Sequence, residues 1–168
     1  MAEPSDTGNG NPANAPAATP TVQVRIAGQY IKDLSFENPR VGKALDTAQD
    51  QPTLRVEVKV NANQLGERMF ESAIDFKAEA SNKSGVIYDL EITYGGMFEV
   101  QGLPEQALQP FLLVNCPSLL FPFLRRLVAD ITREGGFPPL LLDPIDFAAL
   151  FIQRQQQQGA QAPQPRVN

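Results

Sequence analysis

The chain has 168 residues, 42% of them apolar, with 14 basic and 19 acidic side chains, no histidine and one cysteine, Cys116. That is one domain of ordinary size with enough apolar side chains for a core, and the formal charge of −5 argues against nucleic acid, which needs a basic surface. Without histidine there is no Ser-His-Asp or Cys-His chemistry, and a lone cysteine excludes an intramolecular disulfide or a cysteine-based zinc site.

Residues 1–20 are Pro, Ala, Asn, Gly and Thr with almost no large apolar side chain, which predicts a disordered N-terminal tail. The opening MAEPSDTGNG lacks the basic and apolar regions of a signal peptide. No apolar run reaches the roughly 18 residues of a membrane span. A cytoplasmic location, with no membrane insertion, is the expectation. The folded part is predicted to be 21–152. From 153 on (QRQQQQGAQAPQPRVN) a frayed helix end and a disordered polar C-terminal tail are predicted.

The first half of the folded part alternates with the period of two that marks half-buried strands. Val22, Val24 and Ile26 share a face, and Leu34 and Phe36 continue that parity. Leu54, Val56, Val58 and Val60 alternate with Arg55, Glu57 and Lys59. Phe70, Ile74, Phe76 and Ala78 alternate with Glu71, Asp75, Lys77 and Glu79, and Val86 to Tyr94 repeats the pattern. Turn signals at Asn63–Gly66 and Ser81–Gly85 predict an antiparallel meander. Gly95-Gly96 inside the last strand predicts a bulge or a close backbone approach.

The second half carries helical signals. Pro104 suits a first helical position, opening a short helix to about Val114. Asn115 then suits the N-cap of a longer helix over 117–134, with Leu120, Leu124, Leu127, Val128 and Ile131 as its apolar stripe and Gly135 as its stop. Asp143 suits the cap of a last helix with Pro144 at its first position. The fold class predicted is α+β: a four-stranded antiparallel meander followed by helices packed on one face.

Two surfaces are candidates for function. Odd positions of the strands carry Asp33, Glu37, Glu57, Glu71, Asp75, Glu79, Asp89 and Glu91 against Arg55, Lys59 and Lys77, a net −5 on one sheet face. Such a face steers a basic partner or merely keeps a protein soluble. The loop Gly135–Leu142 is too apolar for an ordinary loop and serves either packing or a binding surface. Chemistry is poorly represented: there is no phosphate-binding loop and no GxGxxG, and the acids sit among charged neighbours rather than in a desolvated cleft. Cys116 reads as a small buried apolar residue. A binding protein, not an enzyme, is the expectation.

Several segments in order resemble the bacterial export chaperone family SecB. Tyr30-Ile31-Lys32-Asp33-Leu34-Ser35-Phe36-Glu37-Asn38-Pro39 looks like its first-strand signature and Gly95-Gly96-Met97-Phe98 like its fourth strand. Asn115-Cys116-Pro117, Leu120-Phe121-Pro122-Phe123, Gly136-Phe137-Pro138-Pro139-Leu140 and Pro144–Phe151 look like its helical half. The resemblance implies a homotetramer, a dimer of dimers, that holds unfolded secretory preproteins and passes them to the SecA translocation motor without ATP or a cofactor of its own. It implies docking of the basic, zinc-containing SecA tail at Asp33, Glu37 and Glu91, although Asp89 stands where the family pattern has leucine. Phe137, Leu140, Leu142, Phe147 and Phe151 are the expected lining of the client groove, with the loop Pro39–Pro52 as its other wall. Rival readings are an α+β carrier of an apolar ligand, an enzyme acting through carboxylates, and a SecB-like chaperone of a toxin–antitoxin system.

Overall fold

The computed structural model describes residues 21–40 and 52–160. The predicted N-terminal tail, most of the Pro39–Pro52 loop and the last residues of the predicted C-terminal tail lie outside the described residues.

Four antiparallel strands form the sheet: β1 (Gln23–Glu37), β2 (Thr53–Gln64), β3 (Met69–Asn82) and β4 (Gly85–Gln101). Their order is β1-β4-β3-β2. The predicted meander therefore holds for β2, β3 and β4 alone, and β1 sits beside β4, a Greek-key order. The connections explain the correction. Tight turns follow β2 and β3, whereas residues 38–52 separate β1 from β2, a length that does not force neighbouring strands to pair.

The alternation in the sequence sets the two faces. On β3 and β4 the even positions are buried: Ile74, Phe76, Ala78, Leu90, Ile92 and Phe98. On β1 the register shifts twice, between Ile26 and Gly28 and between Ile31 and Asp33. The two shifts cancel, so Asp33 and Glu37 regain the face of the odd residues of β3 and β4. Between the shifts parity is reversed, and Tyr30 joins that face opposite Gly95.

Helices cover the other face. α1 (Glu105–Pro110), a π turn (Phe111–Asn115) and α2 (Cys116–Glu134) follow without a break. Two expectations are corrected here. Pro104 is the N-cap, not the first helical residue. Asn115 has helical φ/ψ and makes no capping bond, so the two predicted helices are one 30-residue rod, Glu105–Glu134. The helix is prolonged because a π turn absorbs the defect that Pro117 introduces. The rod is long and apolar enough to cross a membrane by length and composition. Here Leu112, Leu120, Leu124 and Val128 pack on the sheet instead.

Gly95 and Gly96 lie in regular register on both sides, so the predicted bulge is absent and close approach is the reason for the pair. A Cβ on Gly96 would stand 2.8 Å from Leu120 of α2, and one on Gly95 would stand 3.1 Å from the Tyr30 ring on the opposite face. The rod ends in a Schellman motif: Gly136 has φ +87°, its N–H donates to the Arg133 carbonyl, and the Phe137 N–H donates to the Thr132 carbonyl. α3 runs Phe147–Ala160, past the expected boundary at 152. Its cap is Asp146, whose carboxylate accepts the Ala149 N–H at 2.9 Å, rather than Asp143. Two acids with helix-capping chemistry lie three residues apart, and Phe147, the residue after the cap, packs edge-on against Phe121 with ring centroids 5.9 Å apart.

Candidate binding surfaces

The sheet face away from the helices holds its charges in rows across the strands. Asp33 faces Thr93 and then Asp75; Ser35 faces Glu91 and then Lys77; Glu37 faces Asp89 and then Glu79. Rows two residues apart on a strand are about 7 Å apart. The expected docking acids Asp33, Glu37 and Glu91 are thus brought into one exposed patch. Lys77 reaches into it, donating to Glu91 at 2.5 Å and lying 3.2 Å from Asp89. Hydrogen bonds to Glu91 and then Asp89 push its pKa above the usual lysine range. The other oxygen of Asp89 is buried without a partner among the described residues.

Glu71 departs from the expectation of a solvated acid. It is buried, and accepts bonds from Tyr30 Oη at 2.5 Å, Lys32 Nζ at 2.9 Å and Asn63 Nδ2 at 3.3 Å. The phenol of Tyr30 passes over Gly95 to reach β3, and Lys32 is the extra residue of the second β1 bulge. The bonds from Tyr30 and Lys32 hold the Glu71 carboxyl below its ordinary value. Burial and the same bond push the Tyr30 hydroxyl up to about 12. The network ties β1, β3 and β2 together and pairs one of the acids of this face with Lys32. Period-two spacing carries no sign of it, because the bulge that places Lys32 is not encoded as a hydrophobic alternation.

The helix side of the sheet is covered only in the middle. Val24, Ile26, Ile31 and Leu34 of β1 and Leu54 and Val56 of β2 are all about two-fifths exposed. Leu119 and Phe123 form an exposed pair on α2, opposite the buried Leu120, Leu124 and Val128.

The five residues expected to line a client groove fall in three places. Leu142 and Phe147 are buried in the core. Phe137 packs on Tyr88 and Phe36 at the end of β1 and β4, with ring centroids 5.0 and 6.5 Å away. Leu140 is half-buried, and its N–H donates to the buried Thr132 hydroxyl at 2.9 Å. Phe151 lies at the β2 edge, lining a cavity of about 380 Å3 with Val58, Val60, Leu113 and Leu150. A larger cavity, about 1090 Å3, adjoins it and takes in Leu108, Leu112 and Phe70 together with Lys32, Asn63 and Glu71. The sequence reading missed Leu141, a leucine of the connector that is 69% exposed, and Leu119 and Phe123. Their exposure is set by helix phase and loop packing rather than by residue type. Cys116 is fully buried, and burial pushes its thiol up to about 12, as a packing residue requires.

The family whose pattern fits this chain is described as preprotein translocase subunit SecB, matched over residues 17–158. The chain belongs to the SecB family. Curated SecB proteins share its sequence along nearly their whole length. The protein-export protein SecB of Bradyrhizobium is 43% identical over 152 residues, 90% of this chain and 93% of that protein. That of Parvibaculum lavamentivorans is 45% identical over 152 residues, 90% and 88%. Among solved structures, the fold is similar to a Mycobacterium tuberculosis SecB-like chaperone in complex with a peptide from an antitoxin. It superposes with a TM-score of 0.60 at 19% identity, covering 73% of this chain and 90% of that one. SecB membership agrees with the α+β sheet-then-helix architecture derived above.

Proposed function

We propose that this SecB-family protein is an ATP-independent holdase, not an enzyme, that binds unfolded secretory preproteins and delivers them to SecA in the cytoplasm. The observation that carries the reading is the division of labour between the sheet faces. One side leaves apolar side chains of β1, β2, α2 and the connector uncovered, and the other gathers Asp33, Glu37, Asp89 and Glu91. Unfolded chains offer apolar side chains and free backbone groups, so an extended apolar surface holds them by many weak contacts. Affinity for the unfolded state then opposes folding by mass action.

The acidic patch suits the basic, zinc-containing C-terminal tail of SecA, with Asp33, Glu37 and Glu91 as its docking acids. Phe137, Leu140, Leu142, Phe147 and Phe151 contribute to the client surface in two ways. Phe137, Leu140 and Phe151 are half-exposed and available for contact, while Leu142 and Phe147 hold the connector and α3 in place. The exposed flank of β1 and the Leu119–Phe123 pair support a homotetramer built as a dimer of dimers, since patches of this kind mark protein interfaces. The retained docking acids favour export over service to a toxin–antitoxin pair. A light-scattering assay tests the reading. A chemically unfolded preprotein diluted with this protein, without ATP, is expected to stay in solution at near-stoichiometric ratios. Undiminished aggregation would overturn it.

A further inference from the structure

The register of β1 on β4 passes over Ala27, between Ile26 and Gly28, and Lys32, between Ile31 and Asp33. The second of these decides which face the docking acids take. Were Lys32 paired in sequence, it would stand opposite Thr93, and Leu34 rather than Ser35 would stand opposite Glu91. Asp33 and Glu37 would then turn to the helix side, because a slip of one residue moves every side chain to the other face. Apolar packing does little to hold this stretch, since Ile31 is 44% exposed and Leu34 45%. Farther along, Phe36 stacks on Tyr88 with ring centroids 5.8 Å apart and anchors the strand near Glu37. Beside Asp33 the anchor is polar. Tyr30 Oη and Lys32 Nζ, on either side of Ile31, converge on the Glu71 carboxylate at 2.5 and 2.9 Å. That carboxylate is buried on β3 and accepts a third bond from Asn63 of β2. β3 is paired on both sides, so Glu71 is a fixed point against which the bulge is set.

We propose that Glu71 is a positioning residue for partner docking: through Tyr30 and Lys32 it locks the β1 bulge and so aims Asp33 at the basic partner. This role rests on the docking reading above and adds residues that act through Asp33. The clamp is built for one geometry. Tyr30 reaches Glu71 across Gly95, where a Cβ would stand 3.1 Å from the ring, so glycine leaves the room the phenol needs. Lys32 lies next to Asp33 in the chain, yet its ammonium pairs with Glu71 and leaves Asp33 exposed. Charge and position make opposite predictions for Lys32. It is a cation beside a face that takes a basic partner, so by charge alone its removal strengthens docking. If it holds the bulge, its removal weakens docking. A network that bears on fold stability alone changes affinity in neither direction while the protein stays folded.

The test titrates a basic zinc-bound peptide into the full chain by calorimetry at low salt. Glu71 itself is left in place, because replacing it would alter the charge of the face. Tyr30→Phe removes one bond to Glu71 at constant charge, and Lys32→Met removes the other. Each is expected to weaken the peptide at least about three-fold. In an Asp33→Asn background, Tyr30→Phe should change affinity less than about two-fold, since the acid it positions is gone. Ser72→Ala, which perturbs the opposite side of β3, is the control for general destabilisation and should bind as the parent does. Tighter binding by Lys32→Met would overturn the positioning role, as would parent-like binding by Tyr30→Phe. Weakening by Tyr30→Phe that is undiminished in the Asp33→Asn background, or equal weakening by Ser72→Ala, would also overturn it. In all four cases the docking reading stands as long as Asp33→Asn alone weakens the peptide. If the parent protein does not bind the peptide, or Asp33→Asn binds it unchanged, the docking reading fails and the positioning role with it. Tyr30→Phe keeps the ring over Gly95, so the comparison does not depend on a variant that disturbs folding.

Discussion

Ser72→Ala tests how the sheet holds the π turn. In this turn the Cys116 N–H donates to the Phe111 carbonyl. The next N–H that could serve the Leu112 carbonyl belongs to residue 117, a proline, which has none. The Leu112 carbonyl accepts instead from Ser72 Oγ on β3 at 2.8 Å, in the protein interior. Ser72 is fully buried, so removing its hydroxyl leaves an acceptor that water cannot reach. The cost of an unsatisfied buried acceptor is about 1–3 kcal/mol. A comparable bond on the exposed side provides the control: Ser118 Oγ donates to the Val114 carbonyl at 2.6 Å, and water can replace it. Ser118→Ala should cost under about 0.5 kcal/mol. Urea unfolding followed by circular dichroism at one fixed protomer concentration measures both, since assembly would otherwise shift the midpoint. The expected result is a lower midpoint for Ser72→Ala at unchanged slope and little change for Ser118→Ala. Equal midpoints for the two variants would refute the claim that β3 supplies the missing donor.

Three further outcomes are expected. Gly96→Ala pushes a methyl group toward Leu120 and Phe98 and should destabilise by about 1–3 kcal/mol, read as a lower Tm; an unchanged Tm would mean that α2 does not sit directly on β4. Glu71 has a lowered pKa when folded, so its stabilising contribution is present above its unfolded pKa and is lost as pH falls through the folded value; Glu71→Gln should flatten the fall in stability below about pH 4.5, and an unaltered acid limb would contradict the network. Lys77 competes with any basic partner for Glu91 and Asp89. By calorimetry at low salt, Lys77→Met should tighten a basic zinc-bound peptide and Glu91→Gln should weaken it; equal affinities would remove this face from docking.

Much of the sheet was legible because alternation is a local property, with Leu90, Ile92, Phe76 and Ala78 facing the core as their spacing requires. The place of β1 was not, because no local signal says which edge a strand joins after a long connection. The helix boundary at Asn115 was misplaced for a related reason. Asn followed by Cys-Pro is a good helix start in isolation, and only burial against the sheet and the Ser72 bond carry the rod through it. The acidic patch was legible, since Asp33, Glu37, Asp89 and Glu91 lie on period-two strands. The Glu71 network was hidden by the β1 bulge. The apolar residues of the connector were recognisable as unusual, but residue type could not say that Leu142 and Phe147 turn inward while Leu141 stays exposed.

Native mass spectrometry, with and without a chemically unfolded preprotein diluted into the sample, tests the central claim most directly. The account predicts a species of four chain masses that takes up the unfolded chain and ignores its folded form. A monomer or dimer indifferent to unfolded polypeptide would contradict it, and the uncovered apolar surface would then need another occupant.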